Sequence, residues 1–228
     1  MEDVWLEYKA RRSFFRHDRF MALEALNLTL NRGEVLGVIG GNGSGKSTLL
    51  RVLAGVYRPD RGQIKRFCGN TLLLSLALGF DPELSGRENA LISGVLLGAR
   101  RQRVVKKMDQ IISFAELDDC IDDPLKTYSS GMRARLGFSV AFFVEADLLL
   151  IDEVLSVGDA NFRLKAEKSM RERISSEQTV VFVSHSSAQI VGLCDRVAWI
   201  DKGRLRLTGQ PQEVIEAYNG HQCKSTSS

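Results

Sequence analysis

Gly40-Gly41-Asn42-Gly43-Ser44-Gly45-Lys46-Ser47 reads G-x-x-x-x-G-K-[ST]. Residues of these types in this order suit a polyphosphate. The glycines let the backbone turn tightly enough for several N–H groups to point at phosphate oxygens. Lys46 is expected to reach the β- and γ-phosphates, and the Ser47 hydroxyl to fill one Mg²⁺ position. The cradle is expected to comprise Gly40, Asn42, Gly43, Ser44, Gly45, Lys46, Ser47 and Thr48. Far downstream, Asp152 and Glu153 follow the apolar run Leu148–Ile151. Asp152 is placed to hold the Mg²⁺ shell opposite Ser47. Glu153, free of that duty, is suited to orient or deprotonate an attacking water. His185 follows a further apolar run, Thr179–Val183, and can donate to a γ-phosphate. Metal and lysine stabilise charge in such a reaction while a separate carboxylate positions the nucleophile. Lys46, Glu153 and His185 are therefore the catalytic candidates, with Ser47 and Asp152 as metal ligands.

The flanks of the loop say how it is held. Val35–Ile39 is a short apolar run of the kind that makes a buried strand, and Leu49, Leu50, Val52 and Leu53 recur at helical spacing. Strand, glycine loop and helix form the P-loop context, and the helix adds its positive N-terminal dipole. Apolar runs that end in Asp or His suggest parallel strands presenting polar groups at one carboxyl edge. Upstream, Val4–Tyr8 reads as a strand, and Ala25–Leu30 alternates as a half-exposed strand would. Pro59–Gly62 is a turn before strands at Gln63–Phe67 and Thr71–Leu78. Helices are expected at Arg87–Arg103, Val104–Leu117, Phe162–Ser175 and Val214–Tyr218, and a hairpin around Lys202-Gly203. The cations Arg100, Arg101, Arg103, Lys106 and Lys107 ordinarily solvate a helix face, and could also meet anionic lipid headgroups.

The 228 residues allow one compact α/β domain with subdomains. A net charge of +3 is too mild to argue for nucleic acid as a partner. Cys68, Cys120, Cys194 and Cys223 lack metal-like spacing and read as free thiols. The acidic start, Met1-Glu2-Asp3, has no apolar leader. The longest apolar stretches, near Leu72–Phe80 and Phe138–Val144, are core-sized rather than membrane-spanning. An intracellular protein is expected, associated with a membrane only through a partner.

Tyr128-Ser129-Ser130-Gly131-Met132 lies between the P-loop and Asp152, Ser156-Val157-Gly158-Asp159 follows Glu153, and His185 comes last. In this order the motifs resemble the nucleotide-binding domain of ABC transporters over nearly the whole chain. Phe80-Asp81-Pro82-Glu83-Leu84-Ser85-Gly86-Arg87-Glu88-Asn89, the Tyr128–Met132 signature where most ABC proteins read L-S-G-G-Q, and Gln210–Ile215 with Tyr218 are most similar to the ATPase subunits of polysaccharide and polyol-phosphate exporters. Those exporters serve O-antigens, capsules and teichoic acids.

The resemblance implies an α/β P-loop NTPase fold: a RecA/F1-like parallel core sheet, an N-terminal antiparallel β subdomain and an inserted helical subdomain. Residues 1–78 and 146–218 would form the core with the β subdomain, 79–145 the helical insert with the signature, and 219–228 a disordered tail. It implies ATP and Mg²⁺ as cofactors and a head-to-tail homodimer. Ser129, Ser130, Gly131 and Asp159 would then reach the nucleotide held by the other subunit. The partners implied are integral-membrane permease subunits, and the cargo is a lipid-linked glycan. The place of work would be the cytoplasmic face of the inner membrane. A teichoic acid exporter ATPase is the alternative, and a soluble ABC ATPase uncoupled to transport is more remote. Two departures stand out. No Gln or Glu occupies the usual Q-loop position near Ser75-Leu76. The adenine-stacking aromatic is open among Tyr8, Phe14, Phe15, His17 and Phe20, with spacing favouring the neighbourhood of His17 and Phe20. Some such exporters carry a C-terminal carbohydrate-binding domain, which is not expected so soon after Tyr218.

Overall fold

Hydrophobic runs and glycine turns sort this chain into two units, each with its own core. The computed structural model describes residues 1–13, 16–67, 69–74, 77–152, 159–174 and 178–225, without the side chains of residues 9–18 and 223–225. The first unit takes residues 1–71, 148–153 and 177–228; the second takes 72–147 and 154–176.

In the first unit, β1 (Glu2–Ser13) and β2 (Arg16–Leu26) pair antiparallel from Val4↔Leu26 to Ser13↔Arg16. The strand β4 (Arg61–Gln63) joins β1 on its other side, at Glu2 and Trp5. The remaining strands are β3 (Val35–Ile39), β6 (Leu148–Asp152), β7 (Thr179–Val183), β8 (Arg196–Asp201) and β9 (Arg204–Gly209). They stand in the order β6-β7-β3-β8-β9, parallel except for β9. All five residues of β3 are buried, as in a strand covered on both faces. Helix α1 (Lys46–Leu53) follows the glycine loop, α6 (Ser187–Leu193) follows β7, and α7 (Pro211–Ser225) ends the described chain. A Cβ at Gly37 would lie 2.9 Å from Cys194 Sγ and 3.2 Å from Ile190 Cδ1, so α6 packs directly on β3 there. Lys202 (φ 49°) and Gly203 (φ 77°) form the left-handed pair that a two-residue hairpin between β8 and β9 requires.

The second unit is helical. The strand β5 (Thr71–Leu73) carries the chain into it, followed by α2 (Gly86–Leu96), α3 (Arg101–Ala115), a short 3₁₀ turn (Leu125–Thr127), α4 (Ser130–Phe143) and α5 (Ala160–Ile174). The stretch Phe80–Asn89 is a capping device. Ser85 Oγ accepts the Glu88 N–H while Glu88 accepts the Ser85 N–H, a reciprocal capping box. Asn89, fully buried, accepts from the Asp81 N–H and donates to the carbonyls of Asp81, Leu84 and Ser85. The core holds Phe114, Phe138, Phe142, Phe143 and Phe162 at ring-centroid distances of 5.2–6.2 Å. Arg173 donates to the carbonyls of Phe142 and Val144 at the end of α4, and burial lowers its pKa.

Several sequence expectations need correction. The strand Ala25–Leu30 ends at Leu26, because Ala25 takes a left-handed φ of 48° and Asn27 bonds back to its carbonyl. The strands at Gln63–Phe67 and Thr71–Leu78 shrink to Arg61–Gln63 and Thr71–Leu73. The first helical break falls at residues 97–100, where Gly98 has φ 97°, so the basic cluster opens α3 instead of lying between helices. The terminal helix runs through Ser225, so residues 219–225 are helical and not a disordered tail. Helix α5 packs with the helical unit instead of the core, because Phe162 enters the phenylalanine cluster.

Candidate nucleotide site

Strand register brings the candidates of the first unit to one edge. Val38 of β3 pairs with Val183 of β7, and Val183 pairs with Asp152 of β6. Asp152, Val183 and Val38 therefore form one row across the sheet, and Gly40 and His185 each lie two residues beyond it. The carboxylate, the histidine turn and the glycine loop thus share the carboxyl edge, where open parallel sheets bind ligands. Glu153 is the next residue after Asp152 and lies outside the described residues, as do Ser156, Val157 and Gly158. Ser75 and Leu76, at the Q-loop position, lie outside them too.

The loop is shaped by backbone. Gly40, Gly43 and Gly45 have φ of 153°, 74° and 110°, values that L side chains rarely adopt. A Cβ on Gly45 would come within 2.6 Å of the Ala22 carbonyl. The Gly203 N–H donates to the Ser44 carbonyl at 2.8 Å, so the β8–β9 turn braces the loop from behind. Helix α1 has Gly45 as its N-cap and no side-chain cap, which leaves its first amides for an external acceptor. Lys46 is buried and donates to the carbonyls of Gly40 (2.8 Å) and Gly41 (3.0 Å). Burial lowers its pKa, opposed by the charge of Asp152.

These features test the fit of a nucleotide phosphate group. Ser44 Oγ is buried and has no hydrogen-bond partner among the described residues. Such an orphan, beside uncapped amides and a partly desolvated ammonium, suits a polyanion that brings many acceptors. No group of three or more His, Cys, Asp or Glu that could hold a metal exists among the described residues. A cation held by Ser47 and Asp152 would need phosphate oxygens to complete its shell, as is usual for Mg²⁺.

The turn Ser184-His185-Ser186 is pinned by the buried Ser184 hydroxyl, which donates to Gln189 Oε1 (2.8 Å) and accepts the Ser186 N–H (3.0 Å). His185 is left exposed at its apex. Of the aromatic candidates, Tyr8 shares a hydrogen bond with Thr48 Oγ1 at 3.1 Å and packs edge-on to Tyr57, whose ring faces Arg51. Thr48 is thereby engaged within the protein. Phe20 is 55% exposed, whereas Phe14, Phe15 and the His17 side chain lie outside the described residues.

The remaining candidates stand in the second unit. Ser129 is the N-cap of α4; its hydroxyl accepts the Met132 N–H (3.1 Å), and its own N–H reaches Met132 Sδ (3.5 Å). Methionine thus stands where a capping box has Glu or Gln. Ser130 and Gly131 begin α4 with first-turn amides, which have no intrahelical acceptor. Tyr128, behind them, is buried and donates to the Cys120 carbonyl (2.6 Å), and its hydroxyl fills the space a side chain at Gly86 would need. Asp159 caps α5 through the N–H groups of Phe162 (2.9 Å) and Asn161 (3.0 Å). The Phe162 bond foremost holds its carboxyl below the usual range.

Sequence reasoning placed the loop and Asp152 on the strands that carry them but missed the Gly203 and Ala22 supports and the Ser184–Gln189 clasp. The doublet Lys202-Gly203 marks a hairpin, yet nothing local to it signals a contact with Ser44.

A P-loop between a buried parallel strand and an uncapped helix, with a carboxylate and a histidine on the same sheet edge, defines a nucleotide-hydrolysing α/β protein. A family model for the ABC transporter domain matches residues 23–156. The O-antigen export system ATP-binding protein RfbB of Klebsiella pneumoniae is 44% identical over 215 residues, 93% of this chain and 87% of that protein. A protein of the same name from Myxococcus xanthus is 46% identical, and the teichoic acids export protein TagH of Enterococcus faecalis 43%. The chain spans 45% and 44% of those two. Among solved structures, an ATP-binding subunit of an ABC transporter superposes with a TM-score of 0.73 at 20% identity, covering 96% of this chain and 92% of the other. A cassette solved as a dimer with ADP and Pi gives 0.71 at 19%, covering 92% and 97%; both likenesses concern the fold. The chain belongs to the ABC transporter ATPase family: it binds ATP and hydrolyses it. Among the described residues no helix is long and apolar enough to cross a membrane.

Proposed function

We propose that this chain is the ATP-hydrolysing subunit of an exporter that drives a lipid-linked polysaccharide, O-antigen or capsule-like, through a separate permease. The observation that carries the chemistry is the row Asp152–Val183–Val38, which sets carboxylate, histidine turn and phosphate loop on one edge. The relatives that share at least 43% identity over most of this chain support the cargo. The teichoic acid exporter relative, at 43%, supports a polyol-phosphate cargo as the second reading.

In this reading Gly40, Asn42, Gly43, Ser44, Gly45 and Lys46 hold the ATP phosphates, with Thr48 one residue past Ser47. Ser47 and Asp152 hold Mg²⁺, which supplies charge neutralisation when bound. Glu153 orients or deprotonates the attacking water, and His185 donates to the terminal phosphate. Phe20, exposed on β2, or His17 stacks on adenine. Ser129, Ser130, Gly131 and Asp159 complete the site of a second copy, so the working form is a homodimer at the cytoplasmic face of the inner membrane. Val95 and Leu96, 42% and 55% exposed on α2, offer apolar surface for permease contact.

Two measurements test this. Tagged protein drawn from detergent-solubilised membranes should bring down an integral-membrane permease and a lipid-linked sugar; clean recovery without either sinks the export reading. Glu153→Gln should lower phosphate release ~10²–10⁴-fold while ATP still binds and a dimer accumulates on size exclusion. Near-normal turnover in that variant removes Glu153 from the mechanism.

A further inference from the structure

The polar seam between three helices of the second unit meets at one residue. Helix α3 ends at Ala115, and Glu116 follows as its C-cap with φ 57° and ψ 51°. Its N–H closes on the carbonyls of Ile112 and Ser113, and Leu117 behind it is buried. This left-handed position ordinarily belongs to glycine, because a Cβ there crowds the backbone. A glutamate therefore stands where the backbone favours its absence.

Its carboxylate engages two other helices. Oε2 lies 3.4 Å from Arg135 Nη1 on α4, and Oε1 accepts Lys165 Nζ of α5 at 2.8 Å. Lys165 also donates to the Phe114 carbonyl (2.9 Å) and sits 4.7 Å over the Phe114 ring. The charge of Arg135 reaches Asp159 at the head of α5 as well. The Glu116 side chain is 54% exposed, and ion pairs so open to water add little to folding stability. A residue that strains its backbone and contributes little to stability is held for what it places.

We propose that Glu116 is a positioning residue: through Arg135 and Lys165 it ties the helix headed by Ser129 to the helix headed by Asp159. The two groups then meet the other subunit as one rigid edge. This rests on the reading that Ser129 and Asp159 act across the dimer.

Glu116→Gly removes the carboxylate and relieves the backbone, whereas Glu116→Gln keeps the shape and drops the charge. Glu116→Asp keeps a carboxylate and tolerates the left-handed backbone. The expected result is a melting temperature for Glu116→Gly equal to or above that of the parent. ATP affinity of the monomer should stay unchanged in all three. Turnover should fall three- to tenfold in Gly and Gln, with weaker ATP-driven dimerisation, and be largely kept in Asp. Parental turnover and dimerisation in both Gly and Gln overturn the proposal, and so does a loss that merely tracks a lowered melting temperature. Ser129→Arg, measured alongside, separates the two failures. If it is inactive while the Glu116 variants are normal, only this inference falls; if it turns over normally, the trans reading falls too.

Discussion

The glycine loop and the head of α4 are both helix N-termini that the proposed function sets against phosphate, but they are built in opposite ways. Ahead of α1 the helix is uncapped, the lysine is desolvated against loop carbonyls, and the Ser44 hydroxyl is buried without a partner among the described residues. Ahead of α4 the Ser129 side chain already caps the Met132 N–H, and Ser129 and Ser130 are exposed, so no polar side chain is left buried without a partner there. A site with unmet demands binds on its own. A site already satisfied adds interactions only when another molecule delivers the phosphate to it. Under the proposed function, affinity then belongs to the first end and assembly to the second.

The sharpest way to break that contrast is to remove one end at a time. Lys46→Ala deletes charge-assisted bonds worth roughly 1.5–3 kcal/mol each, so ATP affinity of the monomer should drop about ten- to a hundredfold. Ser129→Arg should leave monomer affinity as it is and cut turnover by ~10²–10³-fold, the scale of losing a donor to developing charge. Equilibrium binding by fluorescent ATP analogue and steady-state phosphate release measure the two. Mixing the variants, once re-equilibrated as monomers, should restore part of the activity, because a heterodimer keeps one intact site. Weakened monomer binding in Ser129→Arg would mean that both ends serve the same nucleotide within one chain.

Glycines sharpen the contrast at smaller scale. Gly45→Ala puts a methyl 2.6 Å from the Ala22 carbonyl at a left-handed φ, strain of about 1–3 kcal/mol, and should lower both melting temperature and ATP affinity. A Cβ at Gly131 meets only Ser129 Oγ, at 3.7 Å. Gly131→Ala should therefore melt like the parent and lose turnover alone. A melting temperature that falls equally in both variants would show that the head of α4 is as tightly built as the loop.

Legibility followed the range of the interactions. The run Val35–Ile39, the loop pattern and Leu148–Asp152 are local signals, and the parallel core was readable from them because buried strands are continuous apolar runs. The capping box at Ser85 and Glu88 sits inside a stretch noticed only for its family likeness, although Ser-x-x-Glu is itself a helix-start pattern. The placement of α5 was not readable, since nothing near Phe162 says that its ring joins Phe114 and Phe138. The left-handed turn at Ala25, which ends β2 early, was hidden because alternation of Ala25–Leu30 mimics a strand. Gly203 bracing Ser44 is a contact between distant segments, invisible to any window of sequence.

The smallest expected effect lies in acid and base, where the Lys46 charge costs stability and the Asp159 charge contributes it, although both groups make the protein more stable as pH rises through their windows. Burial lowers the pKa of Lys46 from its ordinary 10.5, so between the folded value and 10.5 the unfolded chain binds the extra proton. The buried ammonium therefore costs stability at neutral pH, and the cost is relieved as pH rises through that window. Lys46→Met should be at least as stable as the parent without nucleotide at pH 7, with the difference closing toward pH 10.5. Asp159 is shifted below its ordinary 3.8, chiefly by the Phe162 N–H, so its contribution is whole above 3.8 and is lost as pH falls through the folded value. Asp159→Asn, which can still cap the helix but without the charge, should melt a little below the parent at pH 7, with the difference closing as pH falls below 3.8. Melting curves across pH for the three proteins give both differences. An Asp159→Asn curve parallel to the parent at every pH would mean that the cap gains nothing from its charge, and the electrostatic link from Arg135 to Asp159 would lose its support.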